Sequence, residues 1–137
     1  MLAEYFVPVE RFDAFMPRMR AILQASRANI INISIRHARA DPGSLLAWAR
    51  SDVFAFVVYY KQRTDAAARA EVGVWTRALI DAALDAGGSY YLPYQLHATD
   101  SQFRRAYPRF DEFVALKRRV DPANTFRNAL WDKYYPQ

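Results

Sequence analysis

Cysteine is absent from the chain, and histidine occurs only at His37 and His97. The first absence excludes disulfides, a thiolate nucleophile and any cysteine-ligated zinc or iron centre. The second leaves two imidazoles, neither with a second histidine or a carboxylate at metal-ligand spacing, so no metal is expected. Glycine is scarce as well, four in all, and none belongs to a phosphate-cradling loop. A dinucleotide pyrophosphate therefore has no seat of the usual kind in this sequence. No window approaches the ~18 consecutive apolar residues of a membrane span, and the opening "MLAEYFVPVERF" lacks the basic-then-apolar order of an export signal. A cytoplasmic protein without a membrane partner is expected. Lysine is rare, 3 against 16 arginines, and with 14 acids the formal charge is +5. These cations are scattered along the helices instead of forming a block. That pattern fits solvated surface or attraction of small anions, and no nucleic-acid partner is expected.

What is present is enough for one core: 137 residues, 53% hydrophobic and 15% aromatic. The run "AEYFVPV" (3–9) reads as a first strand, ended by Pro8. From Glu10 the residues Phe12, Phe15, Met16, Met19, Ile22 and Leu23 recur at helical spacing, with Pro17 inside the helix as an expected kink or weak first turn. "NIINISIRHAR" (29–39) alternates, placing Ile31, Ile33 and Ile35 on one face and Asn32, Ser34 and Arg36 on the other. After the turn signal "DPGS", "VFAFVVYYK" (53–61) is a third strand. A second helix spans about 65–86 and stops at Gly87-Gly88. "SYYLPYQL" (89–96) is a fourth strand, broken or bulged at Pro93. Thr99 or Asp100 caps a third helix, interrupted at Tyr107-Pro108 and resumed until Asp121-Pro122. Phe126, Leu130, Trp131 and Tyr134 are expected to dock the tail on the domain.

The order β-α-β-β-α-β is the ferredoxin-like split βαβ arrangement, an α+β fold. A four-stranded antiparallel sheet is expected, with helices on one face and C-terminal helical segments following. Residues 1–98 form the core and 99–137 the helical tail of a single domain. The chain starts directly on a strand, which reads as a domain separated from a longer polypeptide. The other sheet face then carries the function: Asn32, Ser34 and Arg36 lie side by side, and the fourth strand adds Tyr90, Tyr91, Tyr94, Gln95 and His97. Phenols, amides and one fixed cation suit a polyhydroxylated ligand.

Two segments, "NISIRHARADPGSLLAWARSDVFAFVVYY" and "YYLPYQLHATDSQFRRAYPRFDEFVALKRRVDPANTFRNALWDKYY", resemble the C-terminal half of FAD-linked oxidases of the vanillyl-alcohol oxidase superfamily. The closest flavour is that of sugar-1,4-lactone oxidases, alditol oxidases and the decaprenylphosphoryl-ribose oxidase, over residues 29–135. The resemblance implies a cap, or substrate, domain whose sheet covers the isoalloxazine of FAD. The cofactor would be held mainly by an FAD-binding domain or subunit absent from this chain, so the chain alone is not expected to be active. The implied reaction is oxidation of an alcohol or sugar- or lactone-like substrate by hydride transfer to flavin.

Where such oxidases carry Glu-x-Arg, this sequence has Ser34-Ile35-Arg36, so the resemblance keeps Arg36 as an electrostatic clamp and loses the acid. Their His-Trp-x-Lys segment is replaced by "YLPYQLH". Counted from Tyr107-Pro108, Tyr94 stands at the Lys position; aligned on Pro93, Tyr94 stands at the His and His97 at the Lys. Tyr91 matches a tyrosine that lies by flavin and substrate. The implied catalytic residues are Arg36, Tyr91 and Tyr94, with Asn32, Ser34, Gln95 and His97 binding substrate and Tyr91 and Asn128 touching the cofactor. The alternative, from the fold alone, is a ligand-binding or dimerisation module without catalytic activity, its open sheet pairing with a second copy as a homodimer.

Overall fold

The computed structural model describes residues 1–135; Pro136 and Gln137, the end of the segment read as the tail, lie outside the described residues. Strand β1 (Leu2–Pro8) leads through a single 3-10 turn into helix α1 (Phe12–Ala25). Strands β2 (Ile30–Ala38) and β3 (Val53–Tyr60) follow, then helix α2 (Ala66–Asp85) and the short strand β4 (Ser89–Tyr90). Helices α3 (Asp100–Ala106), α4 (Phe110–Val120) and α5 (Ala129–Tyr134) complete the chain. The strands form one antiparallel sheet in the order β2-β3-β1-β4, the ferredoxin-like split arrangement expected from the element order.

One face of the sheet is buried by the helices. Tyr5 and Val7 of β1 and Phe56, Val58 and Tyr60 of β3 pack with Phe15 and Met19 of α1 and with Trp75, Leu79 and Ala83 of α2. The tail belongs to this same core through Phe103, Tyr107, Phe110, Trp131 and Tyr134. Each such fully buried large side chain contributes roughly 1.5–3 kcal/mol. Helix α1 continues through Pro17.

Three local readings are corrected. The β2–β3 register shifts between Ile30 and Asn32, so Ile30 and Ile33 turn to the core while Ile31 is 55% exposed. An extra residue in one strand inverts the alternation on one side of it. Strand β4 ends at Tyr90 rather than near residue 96, because Pro93 has no N–H to extend a ladder; the last bond to β1 runs from the Tyr91 N–H to the Glu4 carbonyl. Phe126 does not dock and is 78% exposed, whereas Trp131 and Tyr134 are buried.

The α2–β4 connection sets the sheet's geometry. The Gly88 N–H donates to Ala83 and the Gly87 N–H to Leu84, a Schellman cap with Gly87 at φ 79°. A Cβ at Gly88 would stand 2.0 Å from the Phe6 carbonyl oxygen, so only glycine lets the chain pass this close to β1.

Candidate functional site

In an antiparallel ladder, residues directly opposite one another share a face. The registers therefore lay three rows across the face away from the helices: Leu2–Tyr59–Asn32, Glu4–Val57–Ser34 and Phe6–Ala55–Arg36. Asn32, Ser34 and Arg36 line up on β2 as the alternation predicts, and the Asn32 carboxamide donates to Ser34 Oγ at 3.2 Å. Glu4 is the carboxylate on this face, and sequence reasoning passed over it as one acid in an apolar strand. Ser34 holds the place where the resemblance looked for an acid, and Glu4 stands in the same row, two strands away.

Part of this face is covered. The segment 39–52 folds back over the end of the sheet marked by Val53 and Ala55 and places Trp48 on Phe6, ring centroids 4.3 Å apart. Asp41 holds the segment's turn by accepting from the Gly43 and Ser44 N–H groups, and Arg50 donates to the carbonyls of Gly87 and Gly88. The Ser89 hydroxyl donates to the Trp48 carbonyl. Trp48 was legible only as an aromatic in a loop; its partner Phe6 lies far away in sequence.

An aromatic wall continues from Trp48 and Phe6. Tyr91 meets Phe6 edge-on at 6.1 Å and Tyr94 at 5.2 Å between centroids. Because β4 has ended, the chain turns after Tyr91 and brings Tyr94 back over the edge of β1. Burial pushes the Tyr94 phenol above its ordinary value, Glu4 and Tyr91 add to the rise, and Arg36 pulls it down. Glu4 is likewise pushed up by burial and pulled down by Arg36. Arg36, Glu4, Tyr91 and Tyr94 thus form one electrostatic group at the margin of the cover. Among the described residues neither Arg36 nor the Glu4 carboxylate has an ion-pair or hydrogen-bonding partner, and Arg36 is exposed.

Gln95 and His97 lie behind this group and Asn128 lies in the tail. Gln95 donates to Tyr60 Oη at 3.1 Å and to Gln62 Oε1 at 2.9 Å, which ties it to the end of β3. His97 rests against α2, where a Cβ on Gly73 would come 3.2 Å from its Nδ1. Burial lowers its pKa, and Arg77 and Lys133 lower it further. Its Nε2 is buried without a partner. His97 and Tyr94 both line a cavity of about 20 Å³, the size of one water, which reaches from Glu4 to Thr76. Asn128 caps α5, its carboxamide oxygen accepting from the Trp131 N–H at 2.8 Å. Among the described residues no cluster of three or more histidines and carboxylates is placed to hold a metal, and no helix is long and apolar enough to cross a membrane.

The family model for D-arabinono-1,4-lactone oxidase matches residues 1–134. The chain belongs to the D-arabinono-1,4-lactone oxidase family. No curated protein matches it. The match covers the described fold almost end to end, including β1 and Glu4, which the resemblance read from the sequence did not reach. The family is one of C-terminal domains of FAD-linked oxidases. The residues present fit the ring end of such a cofactor: an apolar floor at half-buried Val57, a wall of Tyr91 and Tyr94, and at Arg36 a cation with no ion-pair partner among the described residues. They do not fit its diphosphate, since Gly87 and Gly88 are committed to capping α2, and Gly43 and Gly73 lie in an Asx turn and a helix.

Proposed function

We propose that this chain is the substrate-binding portion of an FAD-dependent oxidoreductase that oxidises an alcohol carbon of a sugar- or lactone-like substrate. The flavin is held mainly by a separate FAD-binding domain or subunit, which packs on the sheet face away from the helices. The observation that carries this reading is the convergence of Arg36, Tyr91 and Tyr94, with Glu4, at the margin of the 39–52 cover on that face.

Bound flavin supplies the acceptor for the hydride leaving the substrate carbon. Arg36 offers a fixed charge and a planar fork of donors, free to hold a substrate oxygen and to stabilise charge that develops there. Tyr94, kept protonated by burial, donates a hydrogen bond rather than serving as a phenolate base. Tyr91 is held edge-on between Phe6 and Tyr94 and orients the ligand as a rigid wall. Asn32 and Ser34 extend the row of polar contacts along β2. Gln95 and His97 act from behind, fixing the segment that carries Tyr94. The chain's contribution is orientation and electrostatics, and both are spent on placing one C–H bond.

The test is to isolate the protein with its natural flavin-binding partner or domain and mix it anaerobically with a sugar lactone or an alditol. Bleaching of the visible flavin band by these substrates is expected. A flavin that no hydroxylated substrate reduces would remove the proposal.

A further inference from the structure

The charged pair on the open face does not pair. Glu4 and Arg36 sit on β1 and β2 with β3 between them, one row apart along the strands. Strand and residue spacings put their Cα atoms about 12 Å apart. Among the described residues no atom of the Glu4 carboxylate comes within ion-pair distance of Arg36. Between them in Glu4's row stands half-buried Val57, followed by Ser34, and neither the Ser34 hydroxyl nor the Tyr94 phenol forms a hydrogen bond to the Glu4 carboxylate among the described residues. The Tyr94 phenol lies within electrostatic reach of both.

A half-buried carboxylate is ordinarily matched by donors. Glu4 lacks them and yet retains access to the outside, since its oxygens are not among the fully buried polar atoms. Leaving the two charges apart builds a slot with an acceptor-only end and a donor-only end. A chain of hydroxylated carbons matches both ends at once, because each hydroxyl both donates and accepts.

We propose that Glu4 is the second anchor of the substrate site, accepting hydrogen bonds from two neighbouring hydroxyls of a neutral polyol or sugar-lactone substrate whose other end is held by Arg36. This assignment rests on the flavoenzyme reading above and deepens it to a substrate class. Glu4 selects for free vicinal hydroxyls at the end remote from Arg36. It selects against a carboxylate or phosphate there, which it repels.

The flavin-loaded assembly tests this with Glu4→Gln, which keeps the shape and removes the charge; retained flavin content and circular dichroism check that the variant is folded. For an alditol or sugar lactone, KM is expected to rise about tenfold with kcat little changed, as for loss of a charge-assisted hydrogen bond in binding. For an aldonate of the same length, whose carboxylate Glu4 repels, KM is expected to fall in the same variant. A merely structural glutamate would not reverse sign with substrate charge. Unchanged KM for both substrates, with Arg36→Ala still impaired, would overturn the role of Glu4 and leave the flavoenzyme reading standing. Wild-type flavin that no polyol or lactone reduces would overturn both.

Discussion

At the scale of single residues, burial decides which groups can exchange protons. Tyr94 is raised by desolvation, so the phenol stays protonated through the neutral range and the rate should show no limb from its ionisation there. Tyr94→Phe is expected to slow flavin reduction several-fold without changing the shape of the pH profile between about pH 6 and 9; a new or lost limb would assign Tyr94 the role of a base. His97 carries the opposite shift. Its folded pKa lies below 6.5, so the folded state disfavours its protonation. Stability from this source is complete above pH 6.5 and declines as pH falls toward the folded value. Thermal melts of His97→Gln should lose that part of the decline, and an identical pH slope in both proteins would contradict the assignment. Glu4 shows why part of the site was hidden in the sequence. The alternation of β2 could be read locally and it places Asn32, Ser34 and Arg36 correctly. Glu4 joins them only through a pairing with Val57, a contact between distant segments that no local pattern encodes.

At the scale of elements, turns and caps position the site. Gly87-Gly88 reads from sequence as a helix stop, but its second function, the 2.0 Å clearance at the Phe6 carbonyl, exists only once β1 is beside it. Gly88→Ala should destabilise the fold by about 3 kcal/mol and disturb Phe6, Trp48 and Tyr91 with it. Denaturant unfolding followed by tryptophan fluorescence measures both effects. The early end of β4 was half legible, since Pro93 marks a break, but the return of Tyr94 over β1 depends on the packing of segment 91–98. The stop at Asp121-Pro122 has a side-chain cause. Asp121 accepts from the N–H groups of Thr125 and Phe126, each at 2.9 Å, and from Lys117 Nζ. The Lys117 hydrogen bond is the largest influence that pushes the Asp121 carboxyl down to about 2, followed by those two N–H groups. Its contribution is present above pH 3.8 and lost as pH falls through about 2. Asp121→Asn should weaken the fold at neutral pH and flatten acid unfolding across that window, as circular dichroism would record.

At the scale of the whole molecule, the fold class follows from element order, because a split βαβ arrangement leaves few alternatives for strand pairing. The coverage of its open face does not follow. The segment 39–52 carries little periodicity, and its lid over Phe6 is set by Trp48, Ser89 and Arg50 contacts with remote parts of the chain. This cover narrows the open sheet face to the strip that carries Glu4, Ser34 and Asn32. Among the described residues the two most exposed large apolar side chains, Phe126 and Val120, are 78% and 69% exposed, both on the tail. The chain without a flavin domain is expected to self-associate through them, and Phe126→Ser should lower the apparent mass in light scattering. The most direct measurement is the anaerobic rate of flavin reduction by a polyol or sugar lactone in the complete assembly, wild type against Arg36→Ala. If the sheet face away from the helices holds the substrate, the rate falls about tenfold or more with the fold and flavin content intact. An unchanged rate would show that the substrate is bound somewhere else.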